Sequence, residues 1–225
     1  MLLTISDVLS SDQRPELDNL IKKLDFKDGR KTAGKVAKKV KRNEQADLTS
    51  VPGVLFVEKA LEAISQNSVL LAAARPRRFS HLLVSRTSDG GFYGPHIDNA
   101  IMAKGKQRFR SDLSFTLFLS DPDQYIGGDL VIHSAGAAQA IRGEFGDLVL
   151  YPTSSVHEVS PVTSGQRVVC VGWIESLIQD DAQRALLFDL ENLRVSLKAC
   201  QSVGDAEKLV LDKSIANLLR MWARP

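Results

Sequence analysis

The sequence predicts an α+β protein: a mainly β core, built as an antiparallel sandwich or barrel, with helices before and after it. Two observations carry that prediction. Six short apolar segments lie between residues 79 and 174, punctuated by Gly, Pro, Asp and Ser. Helical periodicity is confined to the stretches on either side. The 225 residues suit one domain with an appendage or two small domains. With 44% hydrophobic and 25% charged residues, the composition is that of an ordinary globular chain with a sizeable core.

Residues 11–24 read as an amphipathic helix. Ser10 or Ser11 can cap it, Pro15 falls near its first turn, and Leu17, Leu20, Ile21 and Leu24 share a face. A second helix is expected from about Val54 to Ala74, ended by Arg75-Pro76 because proline disfavours helix in the residue before it. The expected strands are Phe79–Ser85, Ser114–Ser120, Asp129–His133, Asp147–Tyr151, Val156–Val159 and Arg167–Ile174. Helical spacing returns from Asp181 to about Leu197, then through Leu211, Ile215, Leu218, Leu219 and Trp222. The chain therefore divides into a helical and basic segment (1–77) packed on the core, the core itself (78–176), and a small helical appendage (177–225).

The net charge of +2 favours no class of partner. The run from Lys27 to Arg42 is strongly basic, which fits either a solvated segment or a positive rim for an anionic substrate. Nucleic acid is disfavoured, since no aromatic residues are interleaved for base stacking. Two cysteines make no disulfide framework and fit a reducing cytoplasm. The N-terminus lacks the features of a signal peptide, and no run of about 18 apolar residues predicts a membrane span.

The chemistry lies in Gly94-Pro95-His96-Ile97-Asp98-Asn99. Alternate residues of an extended chain point the same way, so His96 and Asp98 can reach one metal. An HxD triplet alone is weak evidence. His157, on a later strand, can supply a third ligand, and Arg167 follows it by ten residues. That spacing places His157 and Arg167 on paired neighbouring strands lining one cavity. Two histidines and a carboxylate make the facial triad of non-haem iron(II) oxygenases, with positions left open for a 2-oxo acid and O2. Arg167 is then the anchor for the far carboxylate of 2-oxoglutarate, because a guanidinium grips a carboxylate bidentately. His81 and His133 read as ordinary strand histidines.

At these residues the chain resembles the PKHD-type hydroxylases, bacterial relatives of the prolyl 4-hydroxylases. The resemblance runs nearly end to end. It rests on Asp28-Gly29-Arg30, on Tyr93 through Ala100, on Arg110-Ser111-Asp112-Leu113-Ser114, on Gly127-Gly128-Asp129-Leu130, on Gly146 through Pro152, on Ser154-Ser155-Val156-His157-Glu158-Val159 and on Asn217 through Ala223. It implies a double-stranded β-helix, or jelly roll. It also implies iron(II) on His96, Asp98 and His157, 2-oxoglutarate on Arg167, and L-ascorbate to keep the iron reduced. Pro95 departs from the residue that relatives often carry, and should stiffen the approach to His96. Collagen-type prolyl hydroxylases commonly place a tyrosine on an early core strand to bind the 2-oxo acid. The corresponding strand here reads Thr116-Leu117-Phe118, so Tyr93, Ser114 and Thr116 are the candidates to replace that hydroxyl.

The expected activity is hydroxylation of a C–H bond with release of succinate and CO2. Two other readings compete: a cupin-like metal oxygenase without 2-oxoglutarate, for which Arg167 has no use, and a non-catalytic iron or 2-oxoglutarate sensor. The substrate is expected to be a small molecule or a peptide, and the sequence is compatible with a homo-oligomer.

Overall fold

The computed structural model describes residues 1–32, 40–104, 107–134, 136–200 and 202–225. The N-terminal part holds β1 (Leu3–Ile5), α1 (Arg14–Lys22), β2 (Phe26–Asp28), β3 (Lys41–Arg42), β4 (Glu44–Ala46), α2 (Val51–Gln66) and α3 (Ser68–Ala74). Then come β5 (Pro76–Phe79), β6 (Leu83–Ser88), β7 (Phe92–His96), β8 (Ile101–Lys104), β9 (Gln107–Arg110), β10 (Leu113–Phe118) and β11 (Tyr125–Gly127). The rest is β12 (Leu130–Ser134), β13 (Ala137–Ile141), β14 (Leu148–Pro152), β15 (Val156–Val159), β16 (Val162–Ser176), α4 (Asp181–Lys198) and α5 (Asp205–Trp222).

Among the described residues, nine strands form a large sheet along the path β1-β14-β10-β16-β6-β4-β2, with β5 and β11 also on β16. Five more form the facing sheet, in the order β13-β12-β15-β7-β3, and β8 and β9 pair as a separate ribbon. The pairings are antiparallel, as expected of a jelly roll.

Strand β10 explains the layering. All six residues of LSFTLF are buried, so both faces of this strand are covered. Leu113, Phe115 and Leu117 join the cluster that contains Leu17, Leu20, Phe56 and Ile64 of the N-terminal helices. Phe118 points the other way, into the sandwich with Val149, Tyr151 and Val169. Period-2 alternation thus divides each central strand between a helix-covered core and the space between the sheets. Truncating a side chain as enclosed as Leu117 should cost about 2–5 kcal/mol. Residues Ile178, Leu187 and Ile215 form a separate cluster in the C-terminal helical segment.

Three expectations need correction. The helix expected over 54–74 is broken at Asn67, which ends α2 and starts α3 by accepting a hydrogen bond from Leu70 N at 2.9 Å. The strand expected over 79–85 is two strands, β5 and β6, and both pair with β16. His157 and Arg167 are not on paired strands. Strand β15 pairs with β12 and β7, whereas β16 belongs to the other sheet. The link Ser160–Pro161 turns the corner between sheets: Pro161 lacks an N–H for a ladder, and Ser160 N donates to Asp129 O at 3.0 Å. The N-terminal part also supplies strands to both sheets, through β1, β2 and β4 on one side and β3 on the other.

Candidate active site

The two sheets enclose a cavity of about 820 Å³. Its floor comes from alternate residues of the large sheet: Ser114 and Thr116 of β10, Tyr151 of β14, and Arg167, Val169, Val171 and Trp173 of β16. The facing sheet contributes His157 and Val159 of β15, Leu130 of β12, His96 of β7 and Lys41 of β3.

His96 and His157 are direct cross-strand partners, which brings their ring centroids to 4.2 Å. Asp98 lies just past the end of β7. Its Oδ1 is 3.9 Å from His96 Nε2, and its Oδ2 is 3.7 Å from His157 Nε2. The three donor atoms lie within 4.8 Å of one another, in the single such group of His, Cys, Asp or Glu among the described residues. Each imidazole is oriented from behind. His96 Nδ1 is 2.9 Å from Gly94 O, and His157 Nδ1 is 3.1 Å from Ser155 O. A carbonyl can only accept, so Nδ1 carries the proton and Nε2 offers its lone pair. Burial, and next the neighbouring His157, lowers the His96 pKa from its ordinary 6.5 to about 4, so its ring is neutral and fit to bind a metal near pH 7. Asp98 Oδ2 accepts from Ser114 Oγ and from Trp173 Nε1, each at 2.8 Å, and Ser114 Oγ is 3.0 Å from Thr153 Oγ1.

Residues 82–175 match the 2OG-Fe(II) oxygenase superfamily. Over 222 residues the chain is 46% identical to a PKHD-type hydroxylase from Hyphomonas neptunium (strain ATCC 15444), a match that covers 99% of each. The chain belongs to the PKHD-type hydroxylases. It is therefore an iron(II)- and 2-oxoglutarate-dependent hydroxylase. Two solved structures share the fold of this PKHD-type hydroxylase. A prolyl hydroxylase from Trichoplax adhaerens, in complex with a hypoxia inducible factor oxygen degradation domain peptide fragment, has a TM-score of 0.55 at 18% identity, over 82% of this chain and 86% of its own. A viral collagen prolyl hydroxylase from Paramecium Bursaria Chlorella virus-1, in its 2OG complex, has a TM-score of 0.53 at 17% identity, over 78% and 96%.

In this PKHD-type hydroxylase Arg167 is 2% exposed, and its Nε and Nη2 have no hydrogen-bond partner. Burial lowers its pKa, and Tyr125 and Tyr151 partly oppose that. The Tyr125 hydroxyl is likewise buried without a partner. Gly128, at φ 68°, makes room for both groups: a Cβ there would lie 3.0 Å from Arg167 Cδ and 3.3 Å from Tyr125 Cδ2.

The remaining candidates take different places. Tyr93 stacks on the His96 ring, with centroids 3.6 Å apart, and burial followed by Asp98 pushes its phenol up to about 12. Ser114 is engaged by Asp98. Thr116 is buried on the floor near Tyr151, whose phenol is driven upward by burial and Asp98 and is partly relieved by Thr116. His133 is 3.1 Å from Glu158, and His81 leans on Trp173 at 6.2 Å.

Sequence reasoning missed Tyr125, Trp173 and Lys41. Trp173 was within reach, since it lies an even number of residues from Arg167 on one strand and so on the same face. In the basic run, Lys27 and Arg30 are exposed and held by Asp25, Asp28 and Asp47. Lys35, Lys38 and Lys39 lie outside the described residues, as does Lys106 of the second basic stretch. Lys41 turns inward. Burial lowers its ammonium to about 8, and Asp98 and then Asp28 resist that fall. No helix among the described residues is long and apolar enough to cross a membrane.

Proposed function

We propose that His96, Asp98 and His157 hold the iron(II) of this hydroxylase, and that Arg167 with Tyr125 holds the distal carboxylate of 2-oxoglutarate. The carrying observation is the buried guanidinium. A buried guanidinium whose Nε and Nη2 lack hydrogen-bond partners is costly in an interior, and a carboxylate between Arg167 and the Tyr125 hydroxyl would satisfy these orphaned atoms together. The donor set fits the metal as well, because two neutral imidazoles and one carboxylate suit iron(II) and leave positions open.

When bound, iron(II) and 2-oxoglutarate supply the oxidising chemistry: O2 is consumed, 2-oxoglutarate is converted to succinate and CO2, and a C–H bond is hydroxylated. The chain supplies order. Gly94 and Ser155 fix the imidazole tautomers, and Ser114 and Trp173 fix the Asp98 carboxylate. Leu130, Val169 and Val171 line the cavity with apolar surface and limit water. With Ser114 committed to Asp98, Thr116 is the better placed of the two hydroxyls for a cosubstrate oxygen.

Ascorbate would keep the iron reduced between turnovers. The substrate is a small molecule or a peptide rather than nucleic acid, and acts at the open side of the same cavity. A homo-oligomer is compatible with this reading, and the free Cys170 and Cys200 suit a reducing cytoplasm. The test is succinate formation from 2-oxoglutarate by the iron-loaded protein. His157→Ala should abolish it together with iron binding, and undiminished succinate formation in that variant would refute the assignment.

A further inference from the structure

The cavity holds a second buried cation. Lys41 is 7% exposed and lines the cavity, with its Nζ 4.9 Å from the centroid of the Tyr93 ring. Among the described residues no carboxylate lies within ion-pair distance of it, and residues 33–39, 105, 106, 135 and 201 include no Asp or Glu. The aromatic face offers an ammonium a weak partner, worth on the order of 1 kcal/mol, which is less than a charge-assisted hydrogen bond supplies.

A charge count sharpens this. Among the described residues, Lys41, Asp98 and Arg167 are the charged side chains that line the cavity. Asp98 and the 2-oxoglutarate dianion together neutralise the iron(II) and one of the two cations. Among these lining groups one positive charge is left over beside the proposed metal ligands, with only the more distant Asp28 to offset it. A net buried charge is expensive unless the next molecule to enter brings its complement. The position suits that role: Lys41 pairs with Tyr93 across β3 and β7, and Tyr93 stacks on His96. Asn43 and Gln45 also line the cavity, Gln45 from β4 of the opposite sheet, so polar side chains flank Lys41 on the way into it.

We infer that Lys41 is the substrate's anion-binding residue, and that this hydroxylase acts on a molecule bearing a carboxylate, seated over Tyr93 with its reacting carbon toward the His96–Asp98–His157 centre. The inference rests on the reading above, in which Arg167 and not Lys41 takes 2-oxoglutarate.

The experiment uses full-length protein loaded with Zn(II), which is redox-silent, and with 2-oxoglutarate. Calorimetry of Zn(II) and 2-oxoglutarate binding comes first, and failure there would count against the metal and cosubstrate assignment instead. The probes are then N-acetyl amino acids, each titrated as the free carboxylate and as the matching carboxamide. The best carboxylate should bind about tenfold or more tightly than its carboxamide, the scale of one charge-assisted hydrogen bond. Lys41→Met, which keeps the length and apolar stem of the side chain, should erase that preference while leaving the 2-oxoglutarate Kd within about twofold. Three results would overturn the inference: no carboxylate preference in the wild type, including a panel in which nothing binds; a preference that survives Lys41→Met; or a Lys41→Met protein whose 2-oxoglutarate Kd rises about tenfold, which would make the cosubstrate the owner of that charge.

Discussion

The two ends of the cavity are built on opposite principles. At the proposed metal end each side chain is held before any ligand arrives: both Nδ1 atoms face backbone carbonyls, and the Asp98 carboxylate takes two hydrogen bonds at 2.8 Å. At the other end, Arg167 lines the cavity beside the buried Tyr125, and Arg167 Nε and Nη2 and the Tyr125 hydroxyl have no hydrogen-bond partner of good geometry. The difference teaches how a resident group and a consumed one are accommodated. A metal that stays through many turnovers benefits from a preformed cage, whereas a cosubstrate spent in every cycle can supply the missing hydrogen bonds itself.

The contrast can be broken most severely at the cage. Asp98→Ala removes the carboxylate, the one member of the proposed ligand set that would offset the metal's charge. Iron content and succinate formation should both fall by about 100-fold or more, beyond the 10–100-fold typical of residues that only orient a ligand. Removal of the orienting groups is the next step down. Ser114→Ala and Trp173→Phe each delete one hydrogen bond to Asp98, and should weaken metal affinity by about 10–100-fold while leaving the 2-oxoglutarate requirement of the metal-saturated protein nearly unchanged.

At the unsatisfied end the sign of the stability effect should reverse. Arg167→Leu replaces a buried, incompletely hydrogen-bonded charge with apolar bulk, so the ligand-free variant should be more stable than the wild type by about 1–4 kcal/mol and unfold at a higher temperature. A lower midpoint in differential scanning calorimetry would show that Arg167 is already satisfied without 2-oxoglutarate.

The smallest effect concerns protons. The folded-state pKa of His96 is lowered from 6.5 to about 4, so the folded metal-free protein resists a proton that the unfolded chain accepts. Its contribution is intact above pH 6.5 and is lost as pH falls toward 4. Between pH 6.5 and 5 the metal-free wild type should lose stability more steeply than His96→Asn, as read from thermal midpoints. Equal slopes would remove His96 as the cause.

How much of this was legible in the chain follows from period and spacing. His96 and Asp98 share a face because they are two apart on an extended segment, and that much needs no tertiary information. Arg167 was found from its distance to His157, yet the pairing inferred from the same distance was wrong. A short link can close a hairpin or turn a corner between sheets, and only the missing N–H of Pro161 hinted at the second. Strands β1 to β4 have two or three residues each, too few for alternation to register. Tyr125 sits on a three-residue strand and was hidden for the same reason. Lys41 was concealed by its company, because a lysine in a basic run is ordinarily solvated and nothing local marks the one that faces inward. The helix break at Asn67 was readable, since asparagine caps well, but the apolar pattern on both sides of it reads as continuous.

The distal-carboxylate clamp is tested most directly by comparing 2-oxoglutarate with 2-oxobutyrate, which keeps the keto acid and lacks the far carboxylate, as ligands of the Zn(II)-loaded protein. The wild type should bind 2-oxoglutarate about 100-fold more tightly, the scale of a buried bidentate charge pair, and Arg167→Leu should bind the two nearly equally. A preference for 2-oxoglutarate that persists undiminished in Arg167→Leu would contradict the account.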